Sequence, residues 1–163
     1  MREMSVLDVM TLVSALGCGL VAGVFFGFSS FVMKALGQLP PAQGIAAMQS
    51  INVVVINPWF LAPFVGTAAA ALVMAIVSLL RWPDPRAAYW LAGGVLYLVG
   101  TFLVTRACNV PLNDGLASVV PLSPEAATRW AAFLSAWTAW NHVRTAAALA
   151  AAACFTLALR FRS

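Results

Sequence analysis

From Pro58 to Leu80 the chain runs for 23 residues with no charged side chain, and only Thr67 and Ser78 carry hydroxyls. A helix needs about 20 apolar residues to cross roughly 30 Å of hydrocarbon, so this stretch reads as a membrane span. Three further runs have the same character, over residues 6–36, 87–107 and 130–159. The whole chain is 63% hydrophobic and 9% charged with a mean hydropathy of +0.93, against about 25% charged residues in soluble domains. Four spans with short connections specify an all-α integral membrane protein: an up-down four-helix bundle forming a single domain over residues 1–163.

The charges are few and sit at the ends of these runs. Nine Lys/Arg stand against five acids, too few to build a nucleic-acid surface. They read instead as topology signals. Arg2, Arg81, Arg86, Arg160 and Arg162 collect on one side, whereas Lys34, Arg106 and Arg129 flank the other. This bias favours both termini on the cytoplasmic face of the plasma (inner) membrane. The first apolar run is too long for the core of a signal peptide and no basic segment precedes it. Cys18, Cys108 and Cys154 have no CxxC spacing and read as packing residues.

Between the spans, Leu39-Pro40-Pro41 stops the first helix, and a short connector helix is expected from Ala42 to Asn57. There Gln49, Asn52 and Ile56 share a face, which suits either a surface-lying connector or the lining of a site. In the first span, Gly17, Gly19, Gly23 and Gly27 step along one side, with Gly19, Gly23 and Gly27 the continuous ridge, a small-residue pattern that lets membrane helices approach closely. Pro111 is expected to end the third span or make it re-form. Ser123, Pro124 and Glu125 read as the N-cap, first position and acidic first turn of the last helix.

That last helix carries the densest polar feature, Trp137-Thr-Ala-Trp140-Asn141-His142-Val-Arg144. At 100° per residue, Trp130, Phe133, Trp137, Trp140, Asn141 and Arg144 fall on one stripe, and His142 projects off it. If Arg160 marks one bilayer surface, Arg144 lies roughly 24 Å away and therefore below the opposite boundary. A guanidinium at that depth costs at least ~2.5 kcal/mol if unpaired. Alternating helix ends would bring Ser29, Asn52, Asn109 and Asn113 to the same level. Such a cluster, walled by Phe28 and the tryptophans, suits a flat phenolic or quinone-like ligand, or a lipid. The amides could equally satisfy one another across helices. One histidine, no carboxylate within the spans beyond Asp8, and no paired thiols make no metal site. No Gly-rich nucleotide fingerprint follows a strand, and no Ser-His-Asp set is supported.

Gly23-Val-Phe-Phe-Gly-Phe-Ser29, Met48-Gln-Ser-Ile-Asn52 with Asn57-Pro58, Asn109-Val-Pro-Leu-Asn113 and Trp137-x-x-Trp140-Asn141-x-x-Arg144 form an ordered set covering nearly the whole chain. In this it resembles the anthrone-oxygenase-like family of small four-helix membrane proteins. The resemblance implies an oxidoreductase that converts anthrones to anthraquinones with O₂, without metal, flavin or other cofactor. On that reading Arg144, Asn141, Asn109 and His142 are the candidate catalytic residues. Asn52, Asn113, Trp137, Trp140, Phe28 and Ser29 would bind substrate. The competing expectations are a bundle that binds a lipid, quinone or hydrophobic metabolite unchanged, and a structural subunit whose glycine ridge serves homo-oligomer or subunit contacts.

Overall fold

The computed structural model describes residues 4–161, so Arg2 and Arg162 of the orientation signal lie outside the described residues. Within them the chain is all-helical. Four helices are long and apolar enough to cross a membrane: α1 (Val6–Gly37), α3 (Pro58–Leu80), α4 (Ala87–Ala117) and α5 (Ala126–Phe161). The connector α2 (Pro41–Val54) lies between the first two. The protein is thus an integral membrane protein by helix length and composition. Helix α1 packs on α3 and α5, and α4 packs on the same two helices.

Local chemistry accounts for the helix boundaries. Ser5 and Asp8 close a reciprocal capping box at the start of α1. Asn57 caps α3 by accepting from the Phe60 amide at 3.2 Å, and its own amide donates to the Val54 carbonyl at 2.7 Å. At α5 the expected cap is absent: Ser123 Oγ has no partner, and Glu125 precedes the helix without a side-chain cap. Ser123 and Pro124 are spent on the preceding turn, where the Ala126 amide donates to the Ser123 carbonyl.

The third span also exceeds its expected bound. Helix α4 passes through Pro111 and ends at Ala117. Two wide π-helical stretches precede the proline, Leu98–Leu103 and Thr105–Asn109. A π turn opens the ladder just where a proline ring would otherwise strike the carbonyl four residues back, so the helix continues. A third π stretch, Phe28–Val32, interrupts α1 at the same end of the molecule.

The close helix approaches occur at glycines other than the expected ridge. Gly19 and Gly23 face open space on the outside of α1, and Gly27 meets only Phe31 of its own helix. Gly17 is the residue that abuts Thr67 of α3. On α4, a methyl group at Gly94 would meet the Ala71 carbonyl at 2.8 Å, and one at Gly93 would meet the Phe155 ring at 2.9 Å. A four-residue glycine repeat identifies a smooth helix face without saying whether the neighbouring helix lies there.

Two apolar clusters result. One fills the space between the long helices around Phe25, Phe64, Trp90, Tyr97 and Phe155. The other joins α2 to α5, with Ile45 and Met48 set against Trp130, Phe133 and Trp137. The candidate site lies where the two meet.

Candidate functional site

The buried stripe of α5 runs through Trp130, Phe133, Trp137, Asn141, Arg144 and Ala148, as its period requires. Trp140 departs from it and is 42% exposed. It stands at the stripe's edge, at the helical angle of Ala147, which is covered because Gly100 of α4 packs against its methyl group, whereas the Trp140 indole is covered only in part. His142 lies on the exposed face.

Asn141 is fully buried, and its hydrogen bonds fix its orientation. Its Nδ2 donates to the Phe25 carbonyl and to Ser29 Oγ, both at 2.7 Å. Thr145 Oγ1 donates to the Asn141 carbonyl at 2.8 Å and stands 3.1 Å from Ser29 Oγ. Each hydroxyl has one proton, so Ser29 donates to Thr145. With both amide protons committed, Asn141 can turn only its oxygen toward Arg144, whose Nη2 donates to it at 2.6 Å.

Arg144 is 3% exposed, and no carboxylate approaches it among the described residues. Its second bond, Nη1 to Thr105 Oγ1, is long at 3.3 Å, and Nε has no partner. The guanidinium carbon sits 4.2 Å from the Phe25 ring centroid and 5.0 Å from that of Trp137. Two aromatic faces thus take the place of a counter-ion, through the attraction of a cation for a ring's negative face.

Trp137 is itself held in place: its indole Nε1 donates to Asn113 Oδ1 at 2.8 Å, and its ring tilts against Phe28 at 5.6 Å. Asn109 is buried behind it and donates to the Trp137 carbonyl at 3.2 Å, leaving its own Oδ1 unpartnered. The π stretch Thr105–Asn109 carries both Thr105 and Asn109. Widened turns of this kind recur at functional sites.

In front of Arg144 opens a cavity of about 930 Å³, large for a small-molecule site. Phe25, Phe28, Phe60, Phe64 and Trp137 supply its aromatic walls, and α2 contributes Met48, Gln49 and Asn52. The connector is therefore a wall of the cavity, pinned where Gln49 Nε2 donates to the Leu116 and Val119 carbonyls, each at 3.0 Å. Of the residues expected from sequence, Arg144, Asn52, Asn113, Trp137 and Phe28 line this space. Asn141, Asn109 and Ser29 lie behind its wall as braces. Trp140 and His142 do not line it.

A family model described as anthrone oxygenase matches residues 57–154, which includes Arg144, Asn141 and the Asn109–Asn113 stretch of α4. The chain belongs to the anthrone oxygenase family. Among curated proteins and among solved structures, nothing matches.

Three further residues line the site that this anthrone oxygenase family chain assembles. Phe25 belongs to the Gly23–Ser29 motif and Thr105 to the polar end of the third span, and their contacts with Arg144 give each a role that spacing alone does not assign. Asp114 follows Asn113 beyond the expected end of that span at residue 107, where no pattern in the sequence singles it out. Among the described residues no group of three or more His, Cys, Asp or Glu could hold a metal ion.

Proposed function

We propose that this protein is a membrane-embedded, cofactor-independent oxygenase that oxidises a flat, phenolic, anthrone-like ring with O₂. One observation carries the reading: a buried arginine, without a carboxylate partner among the described residues, heads an aromatic cavity. An anthrone methylene is acidic because its anion is a phenolate, and that electron-rich anion can reduce O₂. The overall change replaces the methylene CH₂ with a carbonyl and releases one water. Here Arg144 and Thr105 would meet the developing phenolate oxygen in a site sheltered from water, where fixed donors are most effective. Asn141 would hold Arg144, while Asn113 would hold Trp137 flat against the ring.

The protein purified in detergent is expected to take up O₂ when given anthrone, with anthraquinone absorbance rising in step. Anthrone binding without O₂ uptake would favour a carrier of flat or lipid-like molecules instead. Two lining residues at and just beyond the end of α2, Val53 and Ile56, are highly exposed, so the cavity rim is apolar and suits entry from lipid.

In the membrane, α1, α3, α4 and α5 would form one up-down bundle domain with both termini cytoplasmic, in the plasma membrane. Helix pairing supports the up-down order: Asp8 at the start of α1 meets Arg86 at the start of α4, and Tyr89 stacks on Phe161 at 5.5 Å. Single cysteines at positions 84 and 118 should label from opposite sides of the membrane. Labelling from one side would overturn the topology.

A further inference from the structure

Oxidation of an anthrone needs a proton acceptor, and neither Arg144 nor an asparagine can serve as one. His142, the one histidine of the chain, lies on the exposed outer face of α5 and away from the cavity. Among the residues that line the cavity, the only carboxylate or imidazole is the carboxylate of Asp114. It forms no ion pair and no side-chain hydrogen bond among the described residues. Its neighbours are already engaged: Asn113 accepts from the Trp137 indole, and Gln49 donates to two backbone carbonyls.

We infer that Asp114 is the general base of this site, taking the proton from the substrate methylene at the end of the cavity opposite Arg144. The inference rests on the reading of the chain as an anthrone-type oxygenase. Its geometric support is the separation of charges along α4. Thr105 contacts Arg144, and Asp114 follows nine residues later, about 13 Å along the helix at 1.5 Å per residue. A carboxylate beside Arg144 would pair with it, losing basicity and cancelling the charge that the phenolate needs. At this separation a fused ring can lie between them. Its oxygen then faces the guanidinium, and the methylene, across the central ring, faces the carboxylate.

The proton balance follows. Asp114 removes one methylene proton, and the electron pair left behind delocalises onto the ring oxygen beside Arg144. The anion passes an electron to O₂, and the resulting radical pair collapses to a C–O bond, giving a peroxide anion. Protonated Asp114 returns its proton to the terminal oxygen. It then removes the second hydrogen from the same carbon as the O–O bond breaks, forming the carbonyl. The departing hydroxide takes that proton and leaves as water, so Asp114 ends as it began.

The test separates proton removal from oxidation. Anthrone is incubated with the detergent-solubilised protein in D₂O without O₂, and deuterium entering the methylene is followed by NMR. The native protein should accelerate exchange above the protein-free rate. Asp114→Asn should lose that acceleration by about 10²-fold or more while still binding anthrone, as read by quenching of tryptophan fluorescence. Asp114→Glu should recover part of it, and Asp114→Ser provides a second loss variant should the asparagine variant misfold. Full exchange by a folded, anthrone-binding Asp114→Asn or Asp114→Ser protein would overturn the assignment and leave the oxygenase reading intact. A native protein that binds anthrone without accelerating exchange overturns the assignment also. If it binds no anthrone, the oxygenase reading fails and the assignment fails with it.

Discussion

Arg144→Leu is expected to leave the protein folded in detergent and to lower anthrone turnover by about 10²-fold or more, the usual loss when one donor to a developing oxyanion is removed. The two halves of this result have separate causes. Arg144 is buried at 3% exposure with only ring faces and two neutral acceptors around it, so its desolvation is poorly offset. Apolar replacement of buried charges is often neutral or stabilising. Against that, the Asn141 oxygen loses its donor, at about 1–3 kcal/mol for an unsatisfied buried acceptor. The balance is near zero, and turnover falls because nothing remains to stabilise the phenolate. Arg144→Lys keeps the charge and discards the planar fork, so one ammonium must choose between Asn141, Thr105 and the ligand. It should rank closer to leucine than to arginine in activity. Thermal melting in detergent alongside O₂ uptake checks both halves. Unfolding of Arg144→Leu would make the residue mainly structural, and unchanged turnover would remove it from the site.

That Arg144 faces inward was legible, because a charge set within an apolar run must turn toward protein. Its stripe-mates Trp137 and Asn141 followed from the 100° period. What the period could not carry was where a neighbouring helix packs, hence Trp140 emerging at the edge where Ala147 is covered by Gly100 of α4. The glycine ridge failed for a related reason, since Gly19 and Gly23 define a smooth face but Gly17, out of their register, is the one that meets α3. Helix α4 was the costliest misreading. Proline normally ends a helix, and the π stretches that let α4 pass Pro111 leave no composition signal. A span ending at residue 107 leaves Asp114, a carboxylate that lines the cavity, without a role. Contacts distant in sequence were likewise invisible: alternating helix ends put Asp8 and the 81–86 turn at one end of the chain's spans, but do not show that Asp8 and Arg86, 78 residues apart, touch.

That contact motivates the second large effect, at the end of the molecule away from the cavity. Arg86 donates from Nη1 to Asp8 Oδ1 at 3.0 Å, from Nε to Asp84 Oδ1 at 2.9 Å and from Nη2 to Asp84 Oδ2 at 2.8 Å. Its guanidinium lies 4.7 Å above the Trp90 ring, and the Trp90 indole donates to Thr11 Oγ1 at 3.0 Å. One planar side chain thus ties the start of α1, the turn after α3 and the start of α4, with its bidentate fork on Asp84. Arg86→Ala strands the Asp8 carboxylate, itself 8% exposed, and should cost about 3 kcal/mol, the lower end of the range for breaking a buried pair. A double replacement, Asp8→Leu with Arg86→Met, removes both charges and should recover much of that loss. Acid gives an independent reading. The hydrogen bonds from Arg86 hold the Asp84 carboxyl below the usual carboxylate range. A group whose pKa is depressed on folding contributes stability above its unfolded value, near 3.9, and loses it as pH falls through the folded value. Native protein should therefore lose stability progressively below about pH 4, and Arg86→Ala, already without the bond, should show a flatter profile there. Parallel acid profiles for the two proteins would place the clamp's contribution elsewhere, in the packing of Arg86 on Trp90.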